Sequence, residues 1–180
     1  MTLPAAYKWL DKESGPAILK EALKLHGTKE IVGKEHNPTI LGWAKEIGGW
    51  IASFYTEDEI PWCGLFVGVC AKRAGFPFTQ KMLSAKEWMN WGQAVKTPML
   101  GDVLVFQRPG GGHVGIYVGE DDQAYHVLGG NQDNQVSITR ISKGKDRFVG
   151  ARRCQWKIAQ PANVRTVRLA AAGKLSENEA

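Results

Sequence analysis

The chain has 180 residues, 43% of them hydrophobic, which is enough for one domain with a real core. Its net charge of +5 and pI near 9.1 favour anionic partners. Yet the basic residues are scattered, with neither a basic helix nor an RNA-binding aromatic motif, so no nucleic acid partner is expected. No apolar run approaches the roughly 18 residues of a membrane span, so none is expected.

The N-terminus, Met1-Thr2-Leu3-Pro4-Ala5-Ala6-Tyr7, has no apolar core and no cleavage pattern and does not read as a secretory signal. Synthesis in a reducing cytoplasm, with free thiols, is the expectation; action outside would need separate delivery. From Ser14-Gly15-Pro16, Ile18, Leu19, Ala22, Leu23 and Leu25 fall at helical spacing until Gly27. Asn37-Pro38 caps a second helix, with Ile40, Leu41, Ala44 and Ile47 on one face and Gly48-Gly49 as its stop. A third runs from Pro61 through Leu65, Phe66, Val67, Val69 and Cys70 to Ala74 and ends at Gly75 and Pro77. Ser84-Ala85-Lys86-Glu87 has the pattern of a capping box before Trp88 and Trp91.

The second half changes period. Asp102 to Phe106, His113 to Val118, Gln123 to Leu128, Val136 to Ile141 and Phe148 to Arg152 read as short strands. Their close spacing predicts an antiparallel meander, because parallel strands need longer crossovers. Helices followed by strands make an α+β domain over 1–158, with N-terminal helices packed on a C-terminal antiparallel meander. Pro161 closes the ordered region, and 159–180 is read as a flexible tail.

Cys63 is the residue placed for chemistry. In the first turn of its helix, unpaired N–H groups and the helix dipole favour negative charge, so its thiol should ionise easily. A histidine from elsewhere in the chain can serve as its base. His113 opens a strand on which His113, Gly115 and Tyr117 share one face and Val114, Ile116 and Val118 the other. The valine face must be core, so His113 looks away from it. Gly112 and Gly115 beside it leave room for a substrate backbone.

A third group should orient the imidazole, and two residues compete. A hairpin turn between Gly119 and Glu120 sets His113 opposite His126; a turn centred on Asp122 sets it opposite Asn131. The acidic Asp121-Asp122 pair resembles a turn tip and favours Asn131. Trp62, next to Cys63, is expected to shape the cleft. Cys70 and Cys154 read as core. Cysteines seven residues apart with no close pair fit no structural zinc pattern, so no metal and no cofactor are expected.

Taken together, Pro61-Trp62-Cys63, Gly101-Asp102-Val103-Leu104-Val105, His113-Val114-Gly115-Ile116-Tyr117-Val118-Gly119 and Val127-Leu128-Gly129-Gly130-Asn131-Gln132 resemble the papain-like cell-wall hydrolases of the CHAP and NlpC type. A phage-associated branch is closest, through Asn37-Pro38-Thr39-Ile40 and Trp88-Met89-Asn90-Trp91-Gly92. The resemblance covers about residues 5–155 and implies a Cys63 nucleophile and a His113 base. Asn131 matches the CHAP asparagine, although Gly129 stands where a glutamate is frequent. His126 matches the NlpC third histidine within one residue. The implied function is a peptidoglycan hydrolase, either a stem-peptide endopeptidase or an N-acetylmuramoyl-L-alanine amidase, acting as a monomer in the periplasm or on the wall. It would be a phage lysin or an injected antibacterial toxin, the latter with an immunity protein as partner. A silent wall-binding or phage structural module, or an acyltransferase with the same centre, is the alternative.

Overall fold

A computed structural model describes residues 3–154, 163–177 and 179. Four helices occupy the first half: α1 (Ala17–Lys24), α2 (Pro38–Ile47), α3 (Gly49–Phe54) and α4 (Cys63–Arg73). Two 3₁₀ helices, Ala5–Lys12 and Ala85–Asn90, flank them. The cap on α2 forms as its sequence predicts, with Asn37 Oδ1 accepting the Thr39 N–H at 2.8 Å. Gly48-Gly49 redirects the chain instead of ending helical structure. Gly48 sits at φ +81°, its N–H closes α2 on Ala44 O, and α3 begins at once. The Ser84 box does not form, because Ser84 makes no side-chain cap bond and the turn after it is 3₁₀.

Six strands form one antiparallel sheet: β1 (Gln93–Val95), β2 (Val103–Arg108), β3 (Gly111–Glu120), β4 (Ala124–Gly129), β5 (Ser137–Ser142) and β6 (Phe148–Arg153). Their order is β1-β6-β2-β3-β4-β5. The expected meander is present, with β6 folded back onto β2 and an unforeseen β1 added at the edge. In the β3–β4 hairpin, Ile116 faces Leu128 and Tyr117 faces Val127, a register centred on Asp122, and a bulge between Tyr117 and Gly119 shifts the pairs nearer the turn so that Glu120 faces Tyr125. Asp121 Oδ1 accepts the Gln123 and Ala124 N–H groups and fixes that tip.

The sheet is buried on both faces. Val103, Val105, Val114, Ile116, Val118 and Leu128 join the helices in the main core. Leu104, Phe106, Tyr117, Tyr125, Val127 and Ile141 form a second, more aromatic cluster, in which Tyr125 and Phe148 stack with centroids 4.7 Å apart. Residues 163–177, read from sequence as part of the tail, pair with the sheet: Glu120 N–H on β3 donates to Val167 O and Leu169 N–H to Glu120 O, and Ser176 N–H donates to Arg140 O on β5, 2.8 Å each. Gly119 admits them, since a Cβ there would meet Leu169 Cδ1 at 2.5 Å. The Pro161 boundary lies outside the described residues.

The α4 helix is the centre of the domain. Every residue from Cys63 to Ala71 is buried, and the 82–83 backbone crosses it over Gly64 while the Met82 side chain covers Gly68. A Cβ at Gly64 would lie 2.0 Å from the Met82 carbonyl oxygen; one at Gly68 would meet only the Met82 side chain. Backbone cannot yield as a thioether can. Gly64→Ala is therefore expected to destabilise by about 1–3 kcal/mol or more, and Gly68→Ala by less. Denaturant unfolding of the two variants checks this, and equal losses would contradict it.

Candidate active site

Cys63 is the first residue of α4, with Trp62 as the flanking cap residue, two positions later than a helix start at Pro61 predicts. Three contacts set the approach to it. Asp58, buried, accepts Ile31 N–H at 2.9 Å, Asn37 N–H at 2.8 Å and His36 Nδ1–H at 3.1 Å, pinning the loop before α2 to the segment before α4. The Tyr55 hydroxyl donates to Ile60 O. Trp62 Nε1–H donates to Glu30 Oε1 at 2.5 Å.

The backbone N–H groups of Val114, the residue after His113, and of Gly64 and Cys63 itself act on the Cys63 thiol to favour its ionised form. The helix start therefore abuts β3 at its proposed base. These N–H groups and the Arg108 charge favour the thiolate, but burial outweighs them and pushes the thiol above its ordinary range. The first-turn position predicts the opposite, and full desolvation is what the sequence does not display.

His113 is 1% exposed, so its face of β3 is not open as the alternation implied but closed over the aromatic cluster, its ring 6.5 Å from Phe106. Burial pushes the imidazole down to about 3, against a rise from its bond to Gln132. Resting thiol and imidazole are both neutral. Among the described residues no hydrogen bond joins them.

The side chain bonded to the His113 imidazole is Gln132. His113 Nε2 and Gln132 Oε1 are 3.0 Å apart. The Gln132 amide nitrogen donates to Val127 O at 3.2 Å and Ser137 O at 2.6 Å, so the oxygen must be the atom facing the imidazole. An amide oxygen only accepts. His113 therefore carries its proton on Nε2 and keeps Nδ1 as a bare acceptor.

Among the described residues, neither residue expected to orient the imidazole is hydrogen-bonded to it. The register centres on Asp122 as the Asn131 reading requires, but Asn131 turns to φ +57° after β4 ends, and the next residue swings in. Gln132 closes that turn by paired backbone bonds with Gln135. Sequence gives one sign of it, the adjacent Asn131-Gln132 amides. His126 belongs elsewhere, on the β4–β5 side. Its Nδ1 lies 2.7 Å from the Tyr7 hydroxyl and its Nε2 2.8 Å from Asp121 Oδ2, which also holds Arg140 Nε at 2.7 Å. This chain ties the N-terminal 3₁₀ helix to the sheet.

Two of the three expected substrate contacts also change. Trp62 is fully buried against Trp43 and Phe66, and a Cβ at Gly130 would strike its ring. It supports the site from beneath. Gly115 serves strand packing, because a Cβ there would lie 2.4 Å from Val127 Cγ1. Gly112 does line the cleft, a cavity of about 320 Å³ bounded by Cys63, Ser84, Ala85, Lys86, Arg108 and Gly110–Gly112. Cys70 and Cys154 are buried away from it, the latter pushed up to about 12 by desolvation. Among the described residues, no group of three or more His, Cys, Asp or Glu could hold a metal, and no helix is long and apolar enough to cross a membrane.

The depressed His113 has a consequence for stability. Between its folded value of about 3 and an unfolded value near 6.5, only the unfolded chain binds the proton. Stability should therefore be lost as pH falls from about 6.5 toward 3. His113→Gln removes this term, so its melting temperature should drop less than the wild type's between pH 7 and pH 4. An equal drop in both would show that His113 is not buried neutral.

No curated protein matches the chain. The CHAP domain family model matches residues 55–131, a stretch that runs from Tyr55, across Cys63 and His113, to Asn131. CHAP domains are in general cysteine- and histidine-dependent amidases and peptidases of peptidoglycan, with a papain-like fold. Over residues 55–131 the chain is therefore similar to the CHAP domain, whose members are papain-like peptidoglycan hydrolases.

Proposed function

We propose that the protein cleaves an amide bond of peptidoglycan, in the stem peptide or between sugar and peptide, with Cys63 as nucleophile, His113 as base and Gln132 as the residue that positions the base. The observation that carries this reading is the junction of α4 and β3. It brings a first-turn thiol onto the backbone beside a histidine whose proton is fixed on Nε2.

The chemistry follows from the neutral pair. Substrate binding in the cleft brings the scissile carbonyl to Cys63, and the bare Nδ1 of His113 takes the thiol proton as sulfur attacks. Catalytic hydrogen bonds that are open in a free enzyme commonly close in the complex. The imidazolium so formed keeps its Nε2–H on Gln132 Oε1, and Nδ1–H then protonates the leaving amine. Water attacks the thioester, returning its proton through the same nitrogen. The N–H groups of Cys63, Gly64 and Val114 favour negative charge at the sulfur, and the first two open α4, whose N-terminus favours an oxyanion. Activity on the wall would be reached by release as a lysin or by delivery as a toxin.

Digestion of purified peptidoglycan, with mass analysis of the fragments, tests the reading and identifies the bond. Cys63→Ala should abolish fragment release with the fold intact, and Cys70→Ala should keep most of it. Wall digestion by purified Cys63→Ala would refute the mechanism.

The positioning role separates three variants. Gln132→Ala should lower kcat roughly 10²-fold, at the low end of what general acid–base help supplies. Asn131→Ala and His126→Ala should cost less in rate, and His126→Ala should instead lower the melting temperature by removing the imidazole that joins Tyr7 to Asp121. Steady-state kinetics with circular dichroism decide the order. A larger rate loss for His126→Ala would transfer the role to it.

A further inference from the structure

The segment from Gly27 to Ile31 touches both halves of the site, and the proposed mechanism uses none of it. It runs along the turn that follows β4. Gly27 N–H donates to Val136 O at 2.8 Å, Val136 N–H to Thr28 O at 2.8 Å and Glu30 N–H to Asn134 O at 2.9 Å, and Lys29 pairs antiparallel with Gln135. The same turn is closed by the backbone bonds between Gln132 and Gln135, and it presents the Gln132 side chain to His113.

Glu30 and Ile31 tie the segment to the other half. Glu30 Oε1 accepts Trp62 Nε1–H at 2.5 Å, and Ile31 N–H donates to Asp58 Oδ2 at 2.9 Å. Trp62 is fully buried and immediately precedes Cys63 at the start of α4. Burial pushes the Glu30 carboxyl above its ordinary range, and the indole N–H pulls it back. One residue is therefore bonded through its backbone to the turn that holds the partner of His113, and through its side chain to the neighbour of Cys63.

From this double attachment we infer that Glu30 is a positioning residue, which sets the start of α4 against the turn that carries Gln132 and so places the thiol relative to the imidazole. It acts through Trp62 and Asn134. What the position requires is an acceptor at the reach of a glutamate side chain. A glutamine amide oxygen offers the same acceptor, whereas an aspartate keeps the charge and falls one methylene short. The inference rests on the hydrolase reading and deepens it, because misplacing reacting groups by about 1 Å can cost roughly 10²-fold in rate.

The test compares E30Q, E30D and E30A in the full chain. On soluble fragments of peptidoglycan, E30A and E30D should lower kcat roughly 10- to 100-fold with KM changed about 2-fold at most, the split expected when reacting groups are out of register. E30Q should keep kcat within about 3-fold of wild type, because its oxygen can still accept the Trp62 N–H. Nitrogen-15 spectra of His113 should follow the same order, displaced in E30A and E30D and restored in E30Q. Should E30A not fold, E30Q and E30D carry the comparison, since both keep a polar acceptor at the site. A kcat for E30D within about 2-fold of wild type, an equal loss in E30D and E30Q, or a His113 spectrum unmoved in E30D overturns the inference and leaves the hydrolase reading standing. Wild-type protein that releases no fragments overturns that reading instead; the His113 spectra of E30D and E30Q then decide whether Glu30 positions the imidazole.

Discussion

The contact on which the site depends is the burial of α4 against β3. Nine consecutive residues from Cys63 to Ala71 lie out of water, and such a helix has no solvent-facing side on which to drift. Its axial position is set by Gly64 under the Met82 carbonyl and by Gly130 over the Trp62 ring, two approaches that no side chain would allow. Once the helix is placed, its first residue lies under the influence of the Val114 N–H, and the proposed catalytic pair takes its placement from the core.

Burial sets the electrostatics as well. Helix N–H groups and Arg108 pull the Cys63 thiol toward ionisation, and desolvation pulls harder the other way. The same water exclusion depresses His113 to about 3. A thiolate–imidazolium pair in this environment would need its mutual attraction to exceed the cost of desolvating two charges. A neutral pair avoids that cost and, in the mechanism proposed above, leaves charge separation to the moment of attack, when the carbonyl and the helix N-terminus share the developing negative charge. Gln132 suits a neutral resting base. An amide oxygen fixes the tautomer without the extra charge that a carboxylate would bring into the pocket.

Much of this was legible in the chain. Period changes separated the helical half from the strand half, and alternation from Val114 to Val118 assigned the core face of β3. The acidic pair at Asp121-Asp122 located the hairpin turn. Cys63 and His113 stood out because their positions are local properties, one at a helix start and one at a strand start. What sequence concealed depends on contacts between distant segments. Gln132 replaces Asn131 because three residues, Asn131, Asp133 and Asn134, take positive φ after β4, and a one-residue change there selects a different side chain. His126 looked like a triad member until Tyr7, 119 residues away, met its other nitrogen. The α3 helix was hidden by the double glycine that redirects α2, and Gly115 by a valine on the neighbouring strand.

The central claim is that His113 rests neutral, with its proton on Nε2 held by Gln132. Nitrogen-15 NMR of the imidazole reads this directly, since the protonated and bare ring nitrogens differ widely in chemical shift. The expected result is a single neutral Nε2–H tautomer at pH 7 that persists on acidification well below pH 6, and that loses its tautomeric preference in Gln132→Ala. An imidazolium at neutral pH, a titration near the ordinary histidine value of about 6.5, or an Nδ1–H tautomer would contradict it.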